Sequence, residues 1–297
     1  MYGQETMIRL SVIILNYNTK ELLKGCLKSV LDSLFLIQNS EMIVVDNGSS
    51  DGSVEMVRDK FSKVKLIVNS KNLGFAKGNN LGMKVAEGNY ILLLNSDTMV
   101  EKETLPKVVK FMEENPKVGV ATCRVELADG ELDPACHRGF PTPWASLTYF
   151  FGLEKLFPKS KIFGQYHQTY KDLHTTHEID SPSGSFYLVR RKTIDEVGLL
   201  DEDFFMYGED LDWSFRIKQA GWKIMYVPEV KITHFKKQSG RENVDLEERK
   251  RATDHFYQTM KLFYRKHYQD KYPFFVNWIM IWGINLKQQL SKLGELK

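Results

Sequence analysis

Four apolar runs alternate with amphipathic stretches within the first hundred residues: LSVIIL at 10–15, MIVVD at 42–46, VKLIV at 64–68 and NYILLLNSD at 89–97. A β-branched run without polar alternation suits a strand buried on both faces, as in a parallel sheet. The first intervening stretch, NYNTKELLKGCLKSVLDSLF, sets Leu22, Leu23, Cys26, Leu27, Val30, Leu31 and Leu34 on one helical stripe, with Asn18 and Glu21 spaced as a capping box. SVEMVRDKF and AKGNNLGMKVAEG predict two further helices, the latter entered through a glycine loop. Strand and helix in strict alternation imply right-handed crossovers and an α/β, Rossmann-like fold: a mostly parallel central sheet with helices on both faces.

Sheets of this kind bind ligands beyond the carboxyl ends of their strands. There the chain carries Asn16-Tyr17-Asn18, then Asp46 through Gly52, Asn72 through Asn80, and Asn95-Ser96-Asp97. Turn chemistry alone favours Gly, Asn, Asp and Ser at such places. Four polar ends in register point instead to one ligand cleft. Neither a G-x-G-x-x-G fingerprint nor a P-loop is present.

After residue 115 the pattern changes. KVGVATCRVELADGELD predicts a strand and a ribbon turning at Asp129-Gly130, and 137–180 is a long excursion rich in Pro, His and aromatic residues. SGSFYLVRR reads as a strand, 192–197 as a short helix, and 210–220 as a helix with Asp212 and Arg216 at i,i+4 spacing. WKIMYVP and VKITHF close the body, and helices follow at about 245–268 and 274–293.

At 297 residues, 42% hydrophobic and 27% charged, the chain can bury a substantial core. Cys26, Cys123 and Cys136 are odd in number and show no C-x-x-C spacing, which argues against a disulfide framework or zinc knuckle and for a reducing compartment. The first ten residues lack the zones of a secretory signal, so a cytoplasmic location is expected. Net charge is +3, yet 231–297 holds 14 Lys and Arg against 7 Asp and Glu, leaving the first 230 residues at −4. Such a tail suits an anionic partner, and a solvated basic face explains it equally. Nucleic acid is set aside, because the basic residues are confined to the tail and no RNA-stacking module is visible. The apolar run 274–286 is shorter than the ~20 residues a crossing helix needs. Phe274, Phe275, Trp278 and Trp282 beside Lys271, Lys287 and Lys292 suit contact of 271–297 with a membrane surface, or packing on the body or on a second subunit of a homodimer.

SVIILNYN, IVVDNGSSDGS, NLGFAKGNN, LLLNSDT and FFMYGEDLDWSFR, in this order, resemble the family-2 inverting glycosyltransferases of GT-A fold, especially their rhamnosyltransferase-like branch, over about 10–235. The resemblance implies a catalytic domain at 1–236 and a basic, aromatic helical extension at 237–297. It implies transfer from an NDP-sugar, dTDP- or UDP-linked and rhamnose among the candidates, to a saccharide or polyprenyl-linked acceptor, as in cell-envelope polysaccharide biosynthesis. Asp46 is then the base reader, with Tyr17 and Lys77 lining base and ribose and Gly74 and Asn95 within the donor site. Asp97 and His234 are the implied ligands of a divalent cation, Mg²⁺ or Mn²⁺. Where the family has D-x-D this chain has Asn95-Ser96-Asp97, which leaves one carboxylate, so the cation would lean on substrate phosphates and water.

The family's general base corresponds to Asp210, with Glu209 orienting it or holding the acceptor, and Gly184, Ser185 and Trp213 flank the sugar or acceptor pocket. One base suffices, because a diphosphate is already a good leaving group. An apolar wall of Phe204, Phe205, Met206 and Trp213 would make the carboxylate a stronger base and keep water out. Capping of the helix that begins there accounts for the acids as well. The alternative reading is a non-catalytic nucleotide-sugar-binding or scaffold module with a degenerate metal motif.

Overall fold

The computed structural model describes residues 9–236 and 246–294. The expectations for the first eight residues, and for a domain junction directly after 236, lie outside the described residues.

The predicted strands form as β1 (Leu10–Asn16), β2 (Ser40–Asp46), β3 (Lys65–Val68) and β4 (Tyr90–Asn95), mutually parallel in the order β3-β2-β1-β4. Helices α1 (Lys20–Leu34), α2 (Ser53–Lys60) and α3 (Phe75–Val85) connect them. The register sets Leu15 beside Asn95 and Asn16 beside Asp46, so the polar carboxyl ends lie level along one edge. Strand β5 (Thr98–Val100) has no periodic signal of its own, and α4 (Thr104–Glu114) leads from it into β6 (Val118–Leu127). The remaining body elements are α5 (Pro143–Phe150), α6 (Leu153–Leu156), β7 (His177–Glu178), β8 (Phe186–Arg190), α7 (Arg191–Val197), α8 (Glu209–Gln219) and β9 (Lys223–His234). Strand β8 enters antiparallel between β4 and β6, and β9 runs parallel to β6.

Two local expectations change. Asn18 does not cap α1: it sits at φ +52°, and its side chain accepts a hydrogen bond from the Ser50 amide. The acceptor for the first turn comes from across the cleft, where Asp51 Oδ2 takes the Lys20 amide at 2.8 Å. An acid on the neighbouring loop satisfies the orphan amide and ties the two loops together. WKIMYVP and VKITHF form one strand, with the register jumping between Val227 and Lys231. A bulge accommodates Pro228, which has no amide to give the ladder.

The sheet and its helices enclose the main core, in which all three cysteines are buried and free. A second, smaller cluster joins Phe204, Leu211 and Phe215 to Phe263, Tyr264 and Tyr268 of the segment containing α9 (Leu246–His267). Met280 and Ile281 of α10 (Phe274–Gly294) pack against it. At roughly 1.5–3 kcal/mol per fully buried large apolar side chain, this cluster is sufficient to seat α9 on α8, and α10 is tied to α9 by the Tyr264–Asn277 and Lys261–Gln288 hydrogen bonds.

Candidate active site

Asp46 ends β2 almost completely buried, at 1% exposure. Its Oδ2 accepts from Asn16 Nδ2 at 2.8 Å, and its Oδ1 accepts from the Gly48 and Ser49 amides at 3.1 and 2.8 Å. The carboxylate therefore organises the β2 loop. Asn47 reaches the next loop, donating to the Gly74 carbonyl at 3.0 Å. Tyr17 is exposed, and Lys77, also exposed, lies 3.8 Å from Glu202. Gly74 has φ +85°, and a Cβ there would come within 2.4 Å of the Phe205 carbonyl oxygen. That oxygen accepts the Phe75 amide at 2.7 Å, which brings the β3 loop against the acid-bearing stretch.

The pairing of β5 with β9 sets Thr98 opposite His234 and thereby brings Asp97 to the histidine. His234 Nε2 lies 3.1 Å from Asp97 Oδ1, and Nδ1 lies 3.2 Å from Asp133 Oδ2. Lys236 closes the chain with its ammonium 2.8 Å from Asp133. Burial opposes the imidazolium, but hydrogen bonds to Asp133 and Asp97 raise His234 above its ordinary value. Burial likewise opposes the Asp133 carboxylate, and His234 and Lys236 outweigh it, holding that acid well below the usual range. Asn95 Nδ2 stands 3.5 Å from the same Nε2. Among the described residues no group of three His, Cys, Asp or Glu is arranged to hold a metal ion.

The acids of FFMYGEDLDW lie in the first turn of α8, entered through Gly208 at φ +77°. Asp210, 8% exposed, accepts from Arg138 Nη2 at 2.6 Å and from the Gly184 amide at 3.3 Å on Oδ2, and from the Leu211 amide at 2.7 Å on Oδ1. Arg138 also donates to the Pro182 carbonyl, and its Nε has no partner among the described residues. Glu209 is buried with Oε2 likewise unpartnered. Desolvation, reinforced by the charge of Asp210, pushes its carboxyl up to about 8. Asp212 pairs with Arg216 at 2.8 Å as the spacing predicts, and it also meets His267 Nε2 of α9 at 2.8 Å.

The apolar wall expected around Asp210 is dispersed. Trp213 is completely buried, stacked on Tyr187 at 5.1 Å, with its indole N–H on the Gly198 carbonyl. An indole this large gains more by filling the core than by lining a pocket, so it presents no surface to a ligand. Phe204 lies in the second cluster, and Phe205 stacks on His255. What Asp210 meets in their place is a guanidinium. Arg190 and Arg191 are occupied by main-chain carbonyls, including those of Met112 and Ala86.

A short strip joins the two acid centres. The Ser185 carbonyl accepts the Asn95 amide at 3.3 Å, while the amide of Gly184, one residue earlier, points at Asp210. Gly184 packs on Phe75, and Ser185 is buried with its hydroxyl 2.6 Å from that of Ser183. Arg138 and Asp133 are absent from the sequence-based site. Neither stands in a motif: Asp133 precedes the excursion and Arg138 is one of several charges within it.

The glycosyl transferase family 2 profile matches residues 11–198. The N-acetylglucosaminyl-diphospho-decaprenol L-rhamnosyltransferase of Mycobacterium tuberculosis is 25% identical over 258 residues, covering 77% of each chain. The uncharacterized glycosyltransferase YfnE of Bacillus subtilis is 27% identical over 80% of this chain and 67% of its own. Among solved structures, TarS of S. aureus superposes with a TM-score of 0.56 at 20% identity, over 86% of this chain and 39% of TarS. The mannosyltransferase PcManGT of Pyrobaculum calidifontis, solved with GDP-Man and Mn²⁺, gives 0.58 at 18% identity over 88% and 65%. The chain spans less than two thirds of either solved chain, and the likeness to both is one of fold.

Proposed function

Because the chain belongs to glycosyl transferase family 2 and has the GT-A fold, we propose that it transfers a sugar from a nucleoside diphosphate sugar to a saccharide or lipid-linked acceptor with inversion. The observation that carries this reading is the strip 183–185, which holds the Asn95 end of β4 and the Asp210 carboxylate on consecutive residues. A donor diphosphate held at one end then lies beside a base at the other.

In this reading Asp46, Tyr17, Lys77, Gly74 and Asn95 form the nucleotide and ribose side. Asp210 takes the acceptor hydroxyl proton as the new glycosidic bond forms and the bond to diphosphate breaks. Arg138 holds that carboxylate in place, so Asp210 loses no orientation before attack. Glu209 with its proton retained can both give and accept a hydrogen bond, which suits an acceptor hydroxyl beside Gly184 and Ser185.

Asp97 and His234 would hold a divalent cation, Mg²⁺ or Mn²⁺, after the imidazole gives up its proton, with substrate phosphates and water completing the shell. Asp133 engages Nδ1 and leaves Nε2 facing Asp97, the arrangement by which outer carboxylates orient metal-ligating histidines. Such a cation would supply positive charge to the departing diphosphate. The Mn²⁺ in the mannosyltransferase complex supports this assignment.

The name of the M. tuberculosis relative supports rhamnose as donor sugar and a polyprenyl-diphosphate-linked acceptor. An acceptor of that kind is met at the inner face of the cell membrane. No helix among the described residues is long and apolar enough to cross one.

Thermal unfolding in the presence of a panel of dTDP-, UDP- and GDP-sugars tests the donor, since a specific ligand raises stability with occupancy. A panel without any stabilising member defeats the reading. Asn95 in place of a carboxylate favours the second reading, a binding module without chemistry. Incubation of the stabilising donor with acceptor separates the two, because only an enzyme releases nucleoside diphosphate.

A further inference from the structure

The C-terminal helix α10 buries one face and leaves the other in solvent. Met280 and Ile281 pack on the second cluster, whereas Phe274 is 84% exposed, Trp278 is 66% exposed, and Phe275, Ile279 and Trp282 are exposed as well. The Trp278 and Trp282 rings stack at 6.2 Å and 11°. A second exposed group lies on the excursion: Trp144, Phe150, Phe151, Leu156, Phe157 and Ile162. The two groups are continuous, because Lys287 of α10 holds its ammonium 4.4 Å from the centre of the Phe150 ring.

Their charges have one sign. Within 143–165 the exposed charges are Lys155, Lys159 and Lys161, and the single acid, Glu154, is buried against His167. Within 271–292 there is no acid; Lys292 is taken by Asp254 and Lys271 stands over the Phe215 and Tyr268 rings, while Lys287 lies beside Phe150. Exposed aromatic rings interleaved with lysines, without acids, match a layer whose headgroups are anionic and whose boundary with the acyl region accepts indole and phenyl rings. A two-fold contact between copies through this face would set the lysines against lysines.

We infer that α10 and the α5–α6 segment together form a platform for an anionic phospholipid surface. This deepens the reading of a lipid-linked acceptor and rests on it for its purpose, though the surface can be tested alone. The platform is coupled to the site through packing: α10 packs on the cluster that includes Leu211 and Phe215 of α8, joined to it through α9, and α5 begins five residues after Arg138. Docking the platform would hold the base at a fixed height above the lipid headgroups.

The test is co-sedimentation of the full chain with vesicles of phosphatidylcholine alone or mixed with phosphatidylglycerol, in the absence of donor and acceptor. Binding is expected only with the anionic vesicles, falling as salt is raised. Substituting Lys155, Lys159 and Lys161 by Gln should weaken it about fivefold per lysine. Trp278→Ser with Trp282→Ser should abolish it, while nucleotide release with a water-soluble acceptor stays unchanged, which shows that the variant folds. Absence of binding to anionic vesicles, or equal binding by the double variant, overturns the inference. So does a concentration-dependent dimer in light scattering that the double variant dissolves, because the face would then be an interface between copies. Failure of the transferase reading would leave vesicle binding intact, so the two can fail separately.

Discussion

Nη2 of Arg138 lies 2.6 Å from Oδ2 of Asp210, although 72 residues separate them in the chain. Both groups are nearly buried, and each is the other's main charge partner at the entrance to α8. A carboxylate meant to take a proton must be held still and keep a free acceptor position. One guanidinium on Oδ2, with the Gly184 amide beside it, fixes its direction, and lone-pair capacity remains on Oδ1, which takes only the Leu211 amide.

Asp210→Asn should cut transfer by about 10²- to 10⁴-fold, the usual worth of a positioned base. The thermal stabilisation given by the donor should survive, because the residues proposed to bind it lie at the ends of β1 to β4. Transfer within threefold of the parent would remove Asp210 from the mechanism.

Arg138→Gln leaves the Asp210 charge without its guanidinium, and breaking one side of a buried pair costs about 3–5 kcal/mol. Urea unfolding should show that loss, and kcat should fall more than acceptor KM rises. In the double variant with Asp210→Asn the stability losses should sum to less than the two singles. Strict additivity would mean that the pair is not energetically coupled.

Asp133→Asn should weaken Mn²⁺ binding about 10- to 100-fold, because His234 loses the group that orients it. Electron paramagnetic resonance of free Mn²⁺, titrated with protein and nucleoside diphosphate, reads this without any turnover. Unchanged affinity would detach Asp133 from the cation.

Glu209 holds its proton more tightly folded than unfolded, its carboxyl being raised from 4.5 to about 8 by burial and by Asp210. Its contribution to stability is complete below about 4.5 and is lost as pH rises through about 8. Glu209→Gln keeps the shape without the ionisation, so its stability relative to the parent should grow steadily between those limits. Urea midpoints at pH 5 and pH 8.5 measure the difference, and a constant offset would contradict it.

Gly74→Ala places a methyl group 2.4 Å from the Phe205 carbonyl oxygen at φ +85°. The strain and the clash together should cost about 2 kcal/mol or more. Donor affinity should fall as the β3 loop separates from Phe205; calorimetric titration with the donor checks that.

The parallel strands, their connecting helices, the polar edge and the acids of α8 were all legible in contiguous residues. Periodicity and turn chemistry act over a few positions, so a single chain displays them. Asp97 and His234 were each visible, but their meeting depends on three-residue β5 pairing with the end of β9. Asp133 and Arg138 carried no local pattern: the ribbon that turns back on β6 places Asp133, and the bridge to Ser181 places Arg138. Trp213 stands beside the acids in sequence, yet its ring was claimed by Tyr187 and the core. The sequence by itself determined which segments become strands and helices and which edge is polar, because those follow from forces between neighbours along the chain. Only the tertiary structure decided the partners of Asp97, Asp210 and Trp213, because long-range register and competition for buried space involve residues that no local pattern connects.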